Sequence, residues 1–234
     1  MFNEMPPSEI KAIFDRIAPV YDQLNHQLSL GQHRIWKMMA VKWSEAKDKD
    51  TALDICCGSG DIALMLAEKV GKNGKVIGLD FSCQQLAIAK TRQARQCPQI
   101  NMNWIEGDAL ALPFENNLFD CATMGYGLRN VTDISLCLQE LRRVLKPEAK
   151  AAILDFHRPS QAYMQAFQQW YLDNIVVPTA RSFNLEEEYA YITPSLAKFP
   201  IGTEQVKLAI RAGFSSATHY PLMGGMMGIL VLVK

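Results

Sequence analysis

Apolar residues along this chain fall into two rhythms that take turns. Short, mostly apolar runs such as Thr51 to Ile55 and Val76 to Leu79 have the length of buried strands, whereas Ile62, Met65, Leu66 and Val70 recur at helical spacing. Carried through the chain, the pattern predicts strands over 51–55, 75–80, 100–106, 119–125 and 150–156, with helices over 61–70, 83–96 and 133–145. Such alternation builds an α/β fold with a doubly wound, mostly parallel sheet. Residues 1–47 read as helical, with Ile13, Ile17, Val20, Leu24 and Leu28 along one face and Ile35 to Met39 resuming after Ser29-Leu30-Gly31. The last third offers helices near 161–175 and 203–212, then closing strands near 215–220 and 227–233 that turn around Gly224-Gly225. Seven strands are expected in all. Without repeats or low-complexity tracts, the organisation reads as one domain: a helical segment over 1–47 and a body over 48–234.

The chemistry gathers where the first strand gives way to a helix, at Leu53-Asp54-Ile55-Cys56-Cys57-Gly58-Ser59-Gly60-Asp61. A tight turn there calls for positive φ and bare backbone against a ligand, and glycine supplies both. The second strand ends in Asp80, twenty residues past Gly60, followed by Phe81. A carboxylate at that point can accept two hydrogen bonds from a ribose diol. The spacing Gly58-x-Gly60-x-x-Ala63 fits a dinucleotide as well as S-adenosylmethionine. Asp54, four positions before the first glycine, tips the balance toward the cationic methionine end, because its charge would repel a pyrophosphate.

Ligands of such sheets bind at the carboxyl ends of the strands, where the strand order reverses. The third strand ends in Gly107-Asp108-Ala109, whose carboxylate can accept from an adenine amino group or merely cap a turn. The fourth ends in Met124-Gly125-Tyr126-Gly127-Leu128-Arg129-Asn130. Arg129 and Asn130 are candidate site residues, with a salt bridge or a helix cap before Asp133 as the competing reading.

Composition adds exclusions. The 234 residues carry 24 Lys plus Arg against 24 Asp plus Glu, which argues against a broad nucleic-acid surface. Six cysteines at 56, 57, 83, 97, 121 and 137 form no Cys-x-x-Cys pair and no metal spacing with the four histidines, so reduced thiols and no metal are expected. No stretch reaches about 18 uninterrupted apolar residues. The sequence therefore predicts a cytoplasmic protein that does not span a membrane.

With these segments in hand, the chain resembles the ubiquinone/menaquinone biosynthesis C-methyltransferase family. The resemblance runs from Phe14 onward and is carried by Tyr21-Asp22-Gln23-Leu24-Asn25, Ser29 to Lys37, Gly58-Ser59-Gly60-Asp61, Tyr126 to Asp133, Leu145-Lys146-Pro147 and Phe199-Pro200. Its Cys56-Cys57 version of the turn looks most like the demethylphylloquinone methyltransferases of oxygenic phototrophs. The resemblance implies a Rossmann-like class I S-adenosylmethionine-dependent methyltransferase with an N-terminal helical lid. It also implies cofactor contacts at Ser59, Asp80, Asp108 and Ala109, with backbone help from Gly58 and Gly60. Two departures stand out: Gly125 replaces a frequent serine, and Pro147-Glu148-Ala149 replaces Pro-Gly-Gly.

The acceptor so implied is a prenylated naphthoquinol, with a demethylmenaquinol or a ubiquinone-precursor benzoquinol as alternatives. A quinone ring carbon is electron-poor, whereas a quinol or its phenolate pushes density onto the carbon that takes the methyl. Arg129 would stabilise that oxyanion and Asn130 would orient Arg129. His33 is a second base candidate, against a plain helix-surface histidine. Tyr21 and Asp22 would belong to the lid or simply pack in the core. The apolar helix near 161–175 and Met223, Met226 and Met227 are core, or else line a tail channel that meets the bilayer. A homodimer and a peripheral membrane contact are the partner arrangements left open. An NAD-dependent oxidoreductase and a non-catalytic assembly subunit are the rival readings.

Overall fold

The computed structural model describes residues 7–234, apart from the side chains of Pro7, Ser8 and Tyr21; the first six residues of the expected helical segment lie outside it. Strands β1 (Thr51–Ile55), β2 (Lys75–Asp80), β3 (Asn101–Glu106), β4 (Phe119–Gly125), β5 (Leu145–Phe156), β6 (Ser216–Leu222) and β7 (Met227–Val233) form one sheet in the order β3-β2-β1-β4-β5-β7-β6. The first five are parallel, and β7 runs antiparallel to both β5 and β6. Strand β1 is nearly continuous in apolar residues because helices cover both its faces. Leu53 and Ile55 pack into one core layer with Phe119, Leu138 and Leu230, while Ala52 faces the other with Ile62, Leu66 and Val76.

Helices α4 (Asp61–Val70), α5 (Cys83–Gln96) and α6 (Ile134–Val144) fall where the periodicity puts them. The N-terminal segment resolves into α1 (Pro7–Ile17), α2 (Tyr21–Leu28) and α3 (Gln32–Trp43). The expected helix near 161–175 is shorter. It ends as α7 at Tyr171 and passes through a π-turn over Leu172–Val176 into α8 (Val177–Arg181). Pro178 lies at the start of α8; it cannot donate to the preceding turn and its ring crowds that carbonyl, and the wide turn accommodates both.

Two further helices, α9 (Glu186–Ala190) and α10 (Ile192–Lys198), went unread because five to seven residues are too few to establish a period. The last helix is α11 (Gly202–Arg211). Helices α1, α2 and α7 to α10 share a separate apolar cluster built on Ile17, Leu24, Leu172, Tyr189, Ile192 and Leu196. It forms a roof above the carboxyl ends of the strands. Strand β5 starts five residues earlier than expected, since Leu145 pairs with Phe119 before an irregularity in the register. Glu148, at the first glycine position of the Pro-Gly-Gly pattern, sits at φ +66°, the left-handed region where glycine is at ease.

Candidate active site

The strand order reverses between β1 and β4, and a cavity of about 310 Å³ opens there beside the glycine turn. Gly60 stands at φ +86°, and a Cβ on it would lie 2.8 Å from the Trp104 ring and 3.0 Å from the Ala89 methyl, so no other residue fits. Gly58, at φ +53°, lines the cavity. Its N–H donates to Asp80 Oδ2 at 2.7 Å, and Ser82 N–H donates to Asp80 Oδ1 at 2.9 Å. Burial raises the Asp80 pKa, and these two backbone donors act against that rise. Each carboxylate oxygen keeps a further lone pair for a ligand. Phe81, Asp108, Ala109 and Gly125 also line this cavity, and Phe81 packs edge-on against Phe14 of α1 at 5.9 Å between ring centroids.

Asp108 reaches the cavity wall while doing what the bland reading expected: its Oδ1 caps the Leu110 N–H at 2.9 Å. Three expected cofactor residues, Asp54, Ser59 and Gly60, are not in the cavity wall. Asp54 lies beneath the turn, 1 % exposed, because the parallel register puts it opposite Thr123, whose hydroxyl it accepts at 2.7 Å. Burial pushes its carboxyl up to about 7, against the Thr123 hydrogen bond. Ser59 is turned toward the roof, donating to Asp22 Oδ1 at 2.8 Å.

Arg92, which local sequence did not flag, completes that junction. One guanidinium nitrogen donates to Asp22, to the Ser59 hydroxyl and to the Ser59 carbonyl, and the other meets Asp61. Lys37 of α3, only 4 % exposed, pairs with the same Asp61 at 2.6 Å. Burial would raise the Asp61 pKa, but Lys37 and Arg92 outweigh it and hold the carboxyl near 2. Helices α2 and α3 are thereby fastened to the glycine turn. The side chain of Tyr21 lies outside the described residues.

A second cavity, about 300 Å³, lies under the roof. Phe14, Tyr126 and Asn130 belong to the walls of both cavities, so the two meet there. Asn130 Nδ2 donates to the Tyr126 carbonyl at 3.0 Å, which turns its buried Oδ1 the other way, without a hydrogen-bond partner among the described residues. Arg129 makes a salt bridge, the competing reading that the sequence left open. Its guanidinium pairs with Asp155 at 2.7 Å, donates to the Tyr126 carbonyl at 3.1 Å and lies 5.2 Å from the centroid of the Phe156 ring. Its Nε is buried without a described partner, as is Asn25 Nδ2 in the same cavity.

His33 also faces this cavity. Ser29 Oγ donates to the Asn25 carbonyl at 2.6 Å and lies 2.7 Å from His33 Nδ1, so Nδ1 must carry the proton and Nε2 the lone pair. Burial, then Lys37, lowers the imidazole to about 4. At neutral pH His33 is thus a neutral imidazole with Nε2 as a hydrogen-bond acceptor, and it is buried rather than on the helix surface. Among the described residues no cluster of three or more His, Cys, Asp or Glu could hold a metal ion.

The fold and the sequence both have counterparts among known proteins. The fold matches the crystal structure of a SAM dependent methyltransferase from Aquifex aeolicus with a TM-score of 0.63 at 19 % identity, covering 98 % of this chain and 99 % of that one. A 2-phytyl-1,4-naphtoquinone methyltransferase of Trichormus variabilis is 65 % identical, over 97 % of this chain and 99 % of the relative. The chloroplastic 2-phytyl-1,4-beta-naphthoquinone methyltransferase of Arabidopsis thaliana is 54 % identical, over 97 % of this chain and 88 % of the relative. Residues 3–234 match the ubiE/COQ5 methyltransferase family, and with that match spanning turn, roof and both cavities the chain belongs to this family of methyltransferases.

Proposed function

We propose that the enzyme methylates a ring carbon of a reduced, prenylated 1,4-naphthoquinol with S-adenosylmethionine as donor, 2-phytyl-1,4-naphthoquinol being the acceptor and phylloquinol the product. The observation that carries this reading is the meeting of two cavities at Phe14, Tyr126 and Asn130. One has a buried carboxylate, bare glycine backbone and, among the described residues, no basic cluster for a pyrophosphate, which suits a nucleoside with a sulfonium. The other is walled by Trp36, Phe156, Tyr171 and Met227 and suits an aromatic ring with an apolar tail. The names of the relatives supply the phytyl naphthoquinone.

In this reading Asp80 holds the donor's ribose, and Gly58, Phe81, Asp108, Ala109 and Gly125 shape its seat. S-adenosylmethionine, when bound, supplies an electrophilic methyl group. The chain's own work is to align the acceptor and exclude water, which is worth about 7–11 kcal/mol in favourable cases. Asn130 Oδ1 and His33 Nε2 are acceptors that fit a quinol hydroxyl, beside the unpartnered donors Arg129 Nε and Asn25 Nδ2 that suit its oxyanion. Arg129, with its charge shared with Asp155, turns donor N–H groups toward a developing oxyanion. The test is labelled S-adenosylmethionine with 2-phytyl-1,4-naphthoquinone, a demethylmenaquinone and a benzoquinone, each with and without dithionite. Label should enter the reduced phytyl naphthoquinol fastest and the oxidised forms not at all. Equal turnover of oxidised and reduced acceptor would refute the quinol reading, and a benzoquinol preference would change the head group.

The acceptor's tail also favours a peripheral membrane contact. Leu30 is 90 % exposed, and with Phe167 and Met223 it both lines the acceptor cavity and stands at the surface. Tyr163 and Trp170, on the same face of α7, extend this rim. No helix among the described residues is long and apolar enough to cross a membrane. With zero net charge, attachment rests on apolar and aromatic insertion rather than on anionic lipid. Flotation with phosphatidylcholine vesicles should therefore persist in high salt and weaken in Phe167→Ser with Trp170→Ser. Stripping of the wild type by salt alone would contradict the contact.

A further inference from the structure

We propose that Gln85 binds the methyl donor directly, its amide oxygen accepting a hydrogen bond from a hydroxyl of the donor's ribose. This rests on reading the cavity beside Asp80 as the donor site. Gln85 is the third residue of α5, 1 % exposed, and it lines that cavity. Its backbone N–H is spent on the helix cap, Ser82 Oγ, at 3.2 Å. The side chain has a settled orientation. Nε2 faces the Phe14 carbonyl of α1 at 3.5 Å, and turning the amide over would set two oxygens against each other. Oε1 therefore points away from α1, and lies 3.8 Å from where a Cβ of Gly58 would be, along the bare backbone of the turn.

That oxygen is buried and has no hydrogen-bond partner among the described residues. An orphaned buried acceptor is a cost to the ligand-free fold that a methionine of the same length would avoid. Such a cost at a cavity wall is the signature of a site kept for a ligand that brings the missing donor. Asp80 stands at the same corner of strand and helix. Both its oxygens are already engaged by Gly58 and Ser82 N–H groups and retain lone pairs toward the cavity. A ribose diol presents two adjacent O–H donors, and Asp80 with Gln85 offers acceptors on both sides of it. The Phe14 contact adds that the residue reading the sugar is braced by the helix that walls both cavities.

Calorimetric titration with S-adenosylhomocysteine and its 2′-deoxy and 3′-deoxy forms tests this against wild type, Gln85→Met and Gln85→Leu. Wild type should bind the parent compound and lose affinity for at least one deoxy form. The variants should bind the parent about 5–20-fold more weakly and lose the discrimination at that hydroxyl, while their ligand-free Tm stays level or rises. A purely structural glutamine would lower Tm and affinity together, so that result, or failure of both variants to fold, overturns the proposal. Unchanged affinity, or discrimination that survives in the variants, overturns it as well and leaves the donor site standing. If wild type does not bind S-adenosylhomocysteine, the donor-site reading falls, and the role of Gln85 with it.

Discussion

Replacing Arg129 with alanine should cost about 3–5 kcal/mol of folding stability and lower turnover by about 100-fold or more. The first effect follows from burial. The two side chains are 8 % and 1 % exposed, and without the guanidinium the Asp155 carboxylate is left uncompensated inside the protein. Its remaining donors are backbone N–H groups of Arg129 and Phe156. The second effect follows from position, since Arg129 walls the acceptor cavity and braces the Tyr126 carbonyl at the junction with the donor cavity. The two effects separate in the double variant Arg129→Ala with Asp155→Ala. Removing both charges should recover much of the stability, because a buried pair is dearer to break than to delete. Turnover, measured well below the Tm of each variant, should stay low. If activity returns along with stability, Arg129 is scaffolding and the oxyanion is held by other groups.

Asp54→Asn should change how stability responds to pH. Burial raises the Asp54 carboxyl from its ordinary value to about 7, so the folded protein keeps a proton that the unfolded chain releases. Between pH 4 and 7 the unfolded state therefore binds fewer protons, and wild-type stability falls as pH rises through that window. A shift of this size amounts to about 4 kcal/mol. Asparagine has no proton to lose and keeps an oxygen for the Thr123 hydroxyl. Urea unfolding at pH 4.5 and pH 8 should find the variant gaining on wild type by about 3 kcal/mol between the two. Parallel pH profiles would mean that Asp54 stays ionised beneath the turn.

The sheet and the glycine turn beside its cavity were legible because their signals are local. Strand, glycines and helix follow one another within twenty residues from Thr51 to Val70, and Asp80 closes a strand whose apolar run announces it. Side-chain direction was not legible. That Asp54 faces Thr123 depends on the register of β1 against β4, and that Ser59 faces Asp22 depends on where the roof settles. Asp155 and Asn25 act through partners 26 and four residues away, at Arg129 and near Ser29, and no spacing rule joins them to the site. Gln85 did leave a trace. With Leu86 and Ala89 it is on the buried face of α5, where a polar residue is out of keeping with the pattern. Helices α8 to α10 left none, for Pro178 and Pro194 interrupt segments already too short to carry a period.

Phe14 lines both cavities, and its carbonyl faces Gln85, so the donor and the acceptor share a wall that neither owns. Any shift of α1 that widens one cavity reshapes the other. Occupancy on one side is then felt on the other as a coupling free energy, and linkage makes that coupling equal in both directions. If the two cavities hold donor and acceptor as proposed, each ligand is a thermodynamic effector of the other, acting through the wall of Phe14, Tyr126 and Asn130 that they share.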